Sequence, residues 1–508
     1  MKYLILLISI VIFFPILANG QSFIKADDFV IKTPFLEPED RILSQSIGKQ
    51  GFVTIAKSKG TTKGDSYYIL QHRRPDLSKK WSKEMRLASN ENILHLRIID
   101  EQVVIFTVIH DEKFKKTTLH ADYYHLVDGN QISEKILLEH NIGQWNASEN
   151  KGGLHKDFNS YILSGTKKGY VTPLEYRYYI ASSPDDSLIM FYKFDFSQSA
   201  LMVEAFVYNN ELKLIKEGIL PVDKGYLNHG LQLSLAGNIY MLNSKEDGTA
   251  AVIYYDLKDK SSRFLEISPS NVDRAYFKIN IEEEHSAVLS YINIKGLLLE
   301  GISFARFNFK DEKIEWVQFQ NLKETIDSLS LKLGENFPRD NFELVHHIST
   351  KEGNLFMLEQ RNFIHPGNQY QPGIKDDLSY WRPGKARIVL GNILLVLFGP
   401  DNELKWAQVI PKNQASTSAE GLITNSFEFE VFEDHIAVLY AVGIGSISQI
   451  NYVQINWAGE ILKSELPNPH GIILLLPYTQ WLNAKEIVVV GKKGFASKAS
   501  LILKYRLP

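Results

Sequence analysis

Short apolar runs, each cut off by a polar turn, follow one another along nearly the whole chain. Leu231 to Leu235 meets Ala236-Gly237-Asn238 and resumes at Ile239 to Leu242. Ile93 to Ile99 meets Asp100-Glu101 and resumes at Val103 to Val108; Phe427 to Phe432 meets Glu433-Asp434 and resumes at Ile436 to Tyr440. Runs of this length, bounded by Gly, Asn or Asp, read as strands joined in hairpins. Their Val, Ile, Tyr and Phe content fits a pleated, buried surface. A second hairpin follows each of the first. Its leading strand falls near Tyr67, Tyr123, Val203, Val252, Phe304, Leu394, Tyr452 and Leu501. Turns such as Asn209-Asn210-Glu211, Asp311-Glu312-Lys313 and Asp401-Asn402-Glu403 end that strand.

Two hairpins make a four-stranded unit, and several starts lie about 50 residues apart, the interval of propeller blades. The pattern predicts an all-β protein, a β-propeller of about eight four-stranded blades, with seven as the alternative count. The long intervals from Tyr123 to Val203 and from Phe304 to Leu394 read as single blades with insertions. Residues 141–170 are polar and Gly-rich. Within 321–336, Leu322, Ile326, Leu329 and Leu333 recur at helical spacing and predict a short helix. Residues 361–386 read as a long loop with Pro366, Gly367, Pro372, Gly373, Pro383 and Gly384. The last unit stops one strand short after Lys498 to Tyr505, and Phe29-Val-Ile-Lys32 is an unassigned strand near the other end. Together they predict a ring closed by an N-terminal strand, which removes an exposed sheet edge.

The start of the chain adds a compartment. Lys2 precedes an almost unbroken apolar run from Tyr3 to Leu17, and Ala18-Asn19-Gly20 offers small residues at a cleavage point. Residues 1–20 therefore read as a signal peptide, with residues 21–508 as a single propeller domain. The run is short for a membrane span, which needs about 20 apolar residues. No membrane span is expected in the mature chain. The chain has no cysteine, which excludes a disulfide framework, thiolate metal ligands, a Cys nucleophile and a lipidated Cys. Net charge is −3 with both signs interspersed, so nucleic-acid binding is not expected.

Candidate chemistry centres on the long loop. Arg361, His365, Tyr370, Tyr380, Trp381 and Arg382 put flat aromatic faces beside hydrogen-bond donors, a combination suited to sugars, peptides or planar ligands. Histidines crowd the first third of the chain. His120 and His125, and likewise the adjacent His346 and His347, would diverge on a strand, so no metal site is expected. The carboxylate pairs Asp185-Asp186, Glu433-Asp434, Asp376-Asp377 and Glu282-Glu283-Glu284 fall mostly at predicted turns, where they read as solvated. Trp81, Trp316 and Trp406 each follow an outer turn by a similar interval and read as packing between blades. The sequence holds no Gly-x-Ser-x-Gly elbow, phosphate-binding Gly loop or His-Glu-x-x-His helix. No cofactor is expected.

Three phrases, Ser182-Ser-Pro-Asp185, Leu299-Glu-Gly-Ile-Ser-Phe304 and Glu403-Leu-Lys-Trp-Ala-Gln-Val-Ile-Pro-Lys412, resemble those of uncharacterised exported propeller-like proteins of Bacteroidota. The likeness covers most of residues 180–460, and Gly20-Gln21 is similar to the end of export signals in that phylum. The resemblance implies an exported protein and supplies no catalytic residue. With a blade strand at the end of the chain and no C-terminal sorting domain, the periplasm is the expected destination, with the extracellular space as the alternative. The expected function is a non-enzymatic binding or scaffold role in the cell envelope, with an envelope protein or glycan as partner. The alternative is a hydrolase acting on carbohydrate or peptide, with carboxylates at the central mouth of the ring.

Overall fold

The computed structural model describes residues 23–25, 29–30, 43–57, 66–88, 90–111, 116–141, 178–195, 201–222, 227–245, 247–269, 277–333, 339–364, 387–416, 427–442, 449–468, 472–476, 479–492 and 499–507. They form an eight-bladed β-propeller of antiparallel sheets. Blades one to seven span residues 43–87, 91–141, 179–222, 227–267, 277–321, 342–416 and 427–466. Blade eight takes residues 473–506 and completes itself from the other end of the chain. There Phe23 pairs with Tyr505 and Phe29 with Ser500. The predicted closure is observed, in two short pieces, Phe23–Lys25 and Phe29–Val30.

Burial follows the strand's place in the blade. Second strands are covered on both faces by neighbouring blades: Ile239–Ser244 is buried throughout, and Ser286–Lys295 is buried at all but its last residue. Outermost strands keep one face in solvent, so Lys313–Asn321 alternates along its length. This is why the middle strands read as unbroken apolar runs and the outer ones as alternating runs. The helix predicted in the fifth-to-sixth connection is Lys323–Leu333. Leu322 and Ile326 bury against Phe304, Phe342 and Phe356 and so cover the junction of blades five and six. Among the described residues no helix is long and apolar enough to cross a membrane.

Each blade starts with its innermost strand, and successive strands reverse direction. First-to-second and third-to-fourth turns therefore share one end of the ring. Second-to-third turns and connections between blades share the other. At the first end no connection between described strands exceeds five residues. All three sequence insertions arise at the second end. In the seven blades with a third-to-fourth turn, one turn residue has positive φ: Leu77, Gly129, Leu212, Lys260, Glu312, Asn402 or Gly459. Glycine is required at two of them. Trp81 of blade one lies where a Cβ on Gly129 would be, and Trp406 of blade six does the same at Gly459. Each indole also donates to a backbone carbonyl of the next blade, Trp81 to Leu126 at 2.9 Å and Trp406 to Trp457 at 3.0 Å. Inter-blade packing is thus what these tryptophans do, as the sequence predicts. Blade eight has no such turn, because its third and fourth strands come from opposite ends of the chain.

Candidate functional site

Most of the loop candidates, His365, Tyr370, Tyr380, Trp381 and Arg382, lie outside the described residues, as do residues 142–177 and Asp376-Asp377. Arg361 is described, and its setting differs from the expectation of a loop. It continues the strand Gly353–Ile364, whose partner Arg387–Phe398 rises beside it to the long-connection end. A long hairpin stabilised by ladder hydrogen bonds takes up what composition alone reads as loop. Arg361 Nε donates to Glu359 at 2.8 Å, and its Nη1 donates to Glu343 at 3.4 Å. Lys412 Nζ donates to the other oxygen of Glu359, and both of those side chains are fully buried. Burial pushes the Glu359 carboxyl up, but Lys412 and Arg361 outweigh it and hold the group below its ordinary value. Two carboxylates face two cations here, so charge is balanced within blade six. Gln360 extends the network, accepting from Asn392 at 2.9 Å and donating to the carbonyl of Asp340 at 3.2 Å.

Next to this network sit the two adjacent histidines, which diverge as the strand geometry requires. His346 packs on Phe429 with ring centroids 4.6 Å apart. His347 stacks on Phe356 at 4.4 Å and meets Ser290 and Asn354, each at 3.2 Å. Burial holds both rings down to about 4, so they are neutral at physiological pH. Among the described residues no group of three or more His, Asp or Glu is placed to hold a metal ion.

The turn carboxylates divide. Asp185 is exposed and accepts from Ser183 and Ser187, which bring it down to about 2. Glu284 departs from the solvated reading. It accepts from Ser234 at 3.1 Å and from Asn238 at 2.6 Å, and so ties blade four to blade five. Glu282 and Glu315 converge on Arg306 at 3.1 and 3.5 Å.

A different pair stands out at the axis. The innermost strand of blade seven, Phe427–Val431, alternates Phe427, Phe429 and Val431 toward blade six with Glu428 and Glu430 on the opposite face, toward blade eight. Burial and the charge of Glu430 push the Glu428 carboxyl up to about 7, and burial raises Glu430 as well. Neither carboxyl has an ion-pair partner among the described residues. Sequence reasoning recognises this strand but passes over its acids. The available signal is two carboxylates at alternate positions in a strand whose other residues are apolar.

The facing wall belongs to blade eight, whose innermost strand is broken into Ile473–Leu474 and Gln480–Asn483. Trp481 closes the seam, 5.9 Å from Phe432 and 6.5 Å from Tyr452 between ring centroids. Phe432 in turn lies 5.0 Å from His435, whose Nδ1 is 2.7 Å from Asp434.

No protein-family model matches this chain, and neither does any curated protein. Among solved structures, a prolyl endopeptidase is similar at 8% identity over 90% of this chain and 55% of its own, with a TM-score of 0.39. Oligopeptidase B from Leishmania major matches at 8% over 89% and 53%, with a TM-score of 0.38. The WD40 domain of SCAP from fission yeast matches at 8% over 94% and 98%, with a TM-score of 0.36. This chain spans about half the length of the two peptidases. At these scores the likenesses carry no argument about chemistry.

Proposed function

We propose that this is an exported binding or scaffold protein of a bacterial cell envelope, related to the propeller-like proteins of Bacteroidota that it resembles. The observation that supports this best is the asymmetry of the ring. One end has only tight turns, and every long connection arises from the other. A rigid disc with its long loops on one face is a scaffold for docking. The buried charges beneath the longest hairpin, Glu343, Glu359, Arg361 and Lys412, are paired with one another, which suits a support for loops better than a reacting centre. The aromatic segment containing Tyr380 and Trp381 supplies the contact. The immobilised full chain should retain a defined envelope protein or glycan, and Tyr380→Ala with Trp381→Ala should abolish the capture. Release of sugar or peptide fragments by the purified chain, unaltered by those substitutions, would overturn this reading.

The hydrolytic alternative draws on Glu428 and Glu430, two carboxyls with raised pKa near the axis. Glycoside hydrolysis needs its two carboxyls on either side of the scissile bond. Residues two apart on one strand face stand on the same side of a ligand, which favours binding over cleavage.

A further inference from the structure

The seam between blades seven and eight combines two observations that are independent of each other. The first is the pair Glu428 and Glu430, which has no ion-pair partner among the described residues. The second concerns hydrogen bonding. Four buried side-chain polar atoms on this seam lack a hydrogen-bonding partner among the described residues: His435 Nε2, Tyr452 Oη, Thr479 Oγ1 and Trp481 Nε1. Tyr452, His435 and Thr479 are 0%, 3% and 7% exposed. Buried polar groups are nearly always satisfied, so such a concentration requires an explanation.

The two innermost strands run in the same direction, from the long-connection end to the tight-turn end. The Phe432–Trp481 contact sets their relative height. Two residues back from Phe432 is Glu430, with Glu428 a further two back; two residues back from Trp481 is Thr479, which immediately precedes the strand Gln480–Asn483. Tyr452 and His435 share this face of blade seven, as shown by their rings against Trp481 and Phe432.

The donor and acceptor inventory then selects the guest. His435 donates its Nδ1 proton to Asp434, so in the neutral ring Nε2 is an acceptor. The Tyr452 and Thr479 hydroxyls can accept as well as donate, and both carboxyl groups accept. The seam is therefore rich in acceptors and negative, and it is flanked by the Phe432 and Trp481 rings. An ammonium group offers three N–H donors, a positive charge and affinity for aromatic faces. The one donor-only atom, Trp481 Nε1, calls for an acceptor oxygen near that ammonium. We propose that the seam between blades seven and eight binds a primary ammonium group flanked by an oxygen acceptor, held by Glu428, Glu430, Thr479 and Trp481. An amino sugar and a peptide N-terminus both carry that arrangement.

This goes beyond the docking role and does not depend on it. That role is tested at Tyr380 and Trp381 and this one at Glu428 and Glu430, so either can fail alone. The test is calorimetric titration of the full chain with four probes: glucosamine, N-acetylglucosamine, a tripeptide amide with a free N-terminus, and its N-acetylated form. At least one free amine should bind tenfold or more tightly than its acetylated counterpart, and the one that does identifies the source. The Glu428→Gln/Glu430→Gln variant should lose at least tenfold of that affinity without a fall in melting temperature. Should it fail to fold, Thr479→Val should weaken the same probe. Equal binding of amine and acetylated forms, binding of neither amine, or undiminished affinity in the variants would overturn the proposal.

Discussion

Blade six buries carboxylates fully or largely, the seam between blades seven and eight buries them in part, and the two resolve the charge in opposite ways. In blade six, Glu359 and Glu343 are matched by Arg361 and Lys412, and the result is a Glu359 carboxyl held below its ordinary value. On the seam, no cation is paired with Glu428 or Glu430 among the described residues, and burial together with the Glu430 charge raises the Glu428 carboxyl to about 7. Burial acts in the same direction at both places. What differs is the presence of cations, and that difference separates a brace from a surface suited to binding.

The largest effect is expected when blade six is made to resemble the seam. Lys412→Met leaves Glu359 buried with less compensation and should cost about 3–5 kcal/mol of stability, read by chemical denaturation. Adding Glu359→Gln should recover much of that loss. A second test uses the histidines beside the network. The unfolded ring of His346 takes up a proton near 6.5, whereas the folded ring stays neutral down to about 4. Stability is therefore intact above 6.5 and is lost as the pH falls from there toward 4, by up to about 3 kcal/mol. His346→Phe should remove its share of that slope and leave the share of His347, which is held down to about 4 as well. Glu428 has the opposite sign of consequence. Its folded value is raised from 4.5, so it costs nothing below 4.5, and the cost grows until the pH passes about 7. Glu428→Gln should gain on the order of 2 kcal/mol at pH 8 and nothing at pH 4. The smallest effect belongs to the latch between blades six and seven. Trp406→Phe leaves the Trp457 carbonyl without its donor and should cost about 1 kcal/mol, seen as a lower melting temperature.

The ring is legible in the sequence because each unit repeats the same physical problem. A strand buried on both faces is mostly apolar and the turn beside it is polar, so Ile239–Ser244 or His435–Val442 declares itself. The helix Lys323–Leu333 and the closure by Phe29–Val30 are readable for the same reason, one from periodicity and the other from a missing strand. The seam is not readable. Glu428 and Glu430 come from one blade and Thr479 and Trp481 from the next, and only the ring brings the two blades together along one seam. Arg361 reads as loop because Pro and Gly dominate the residues after it, and nothing local reveals that Glu343 and Glu359 wait for its guanidinium. Glu284 reads as solvated because its partners Ser234 and Asn238 lie in another blade.

The pairing of Phe23 with Tyr505 and of Phe29 with Ser500 fixes an order of events. Synthesis delivers the opening residues first, yet their hydrogen-bonding partners are made far later. Until those partners arrive, the rim of blade eight has no inner strands to pair with and the circle stays a crescent with one raw margin. Export, as proposed, would gain from this arrangement: the locked form cannot assemble while the polypeptide is still threading outward.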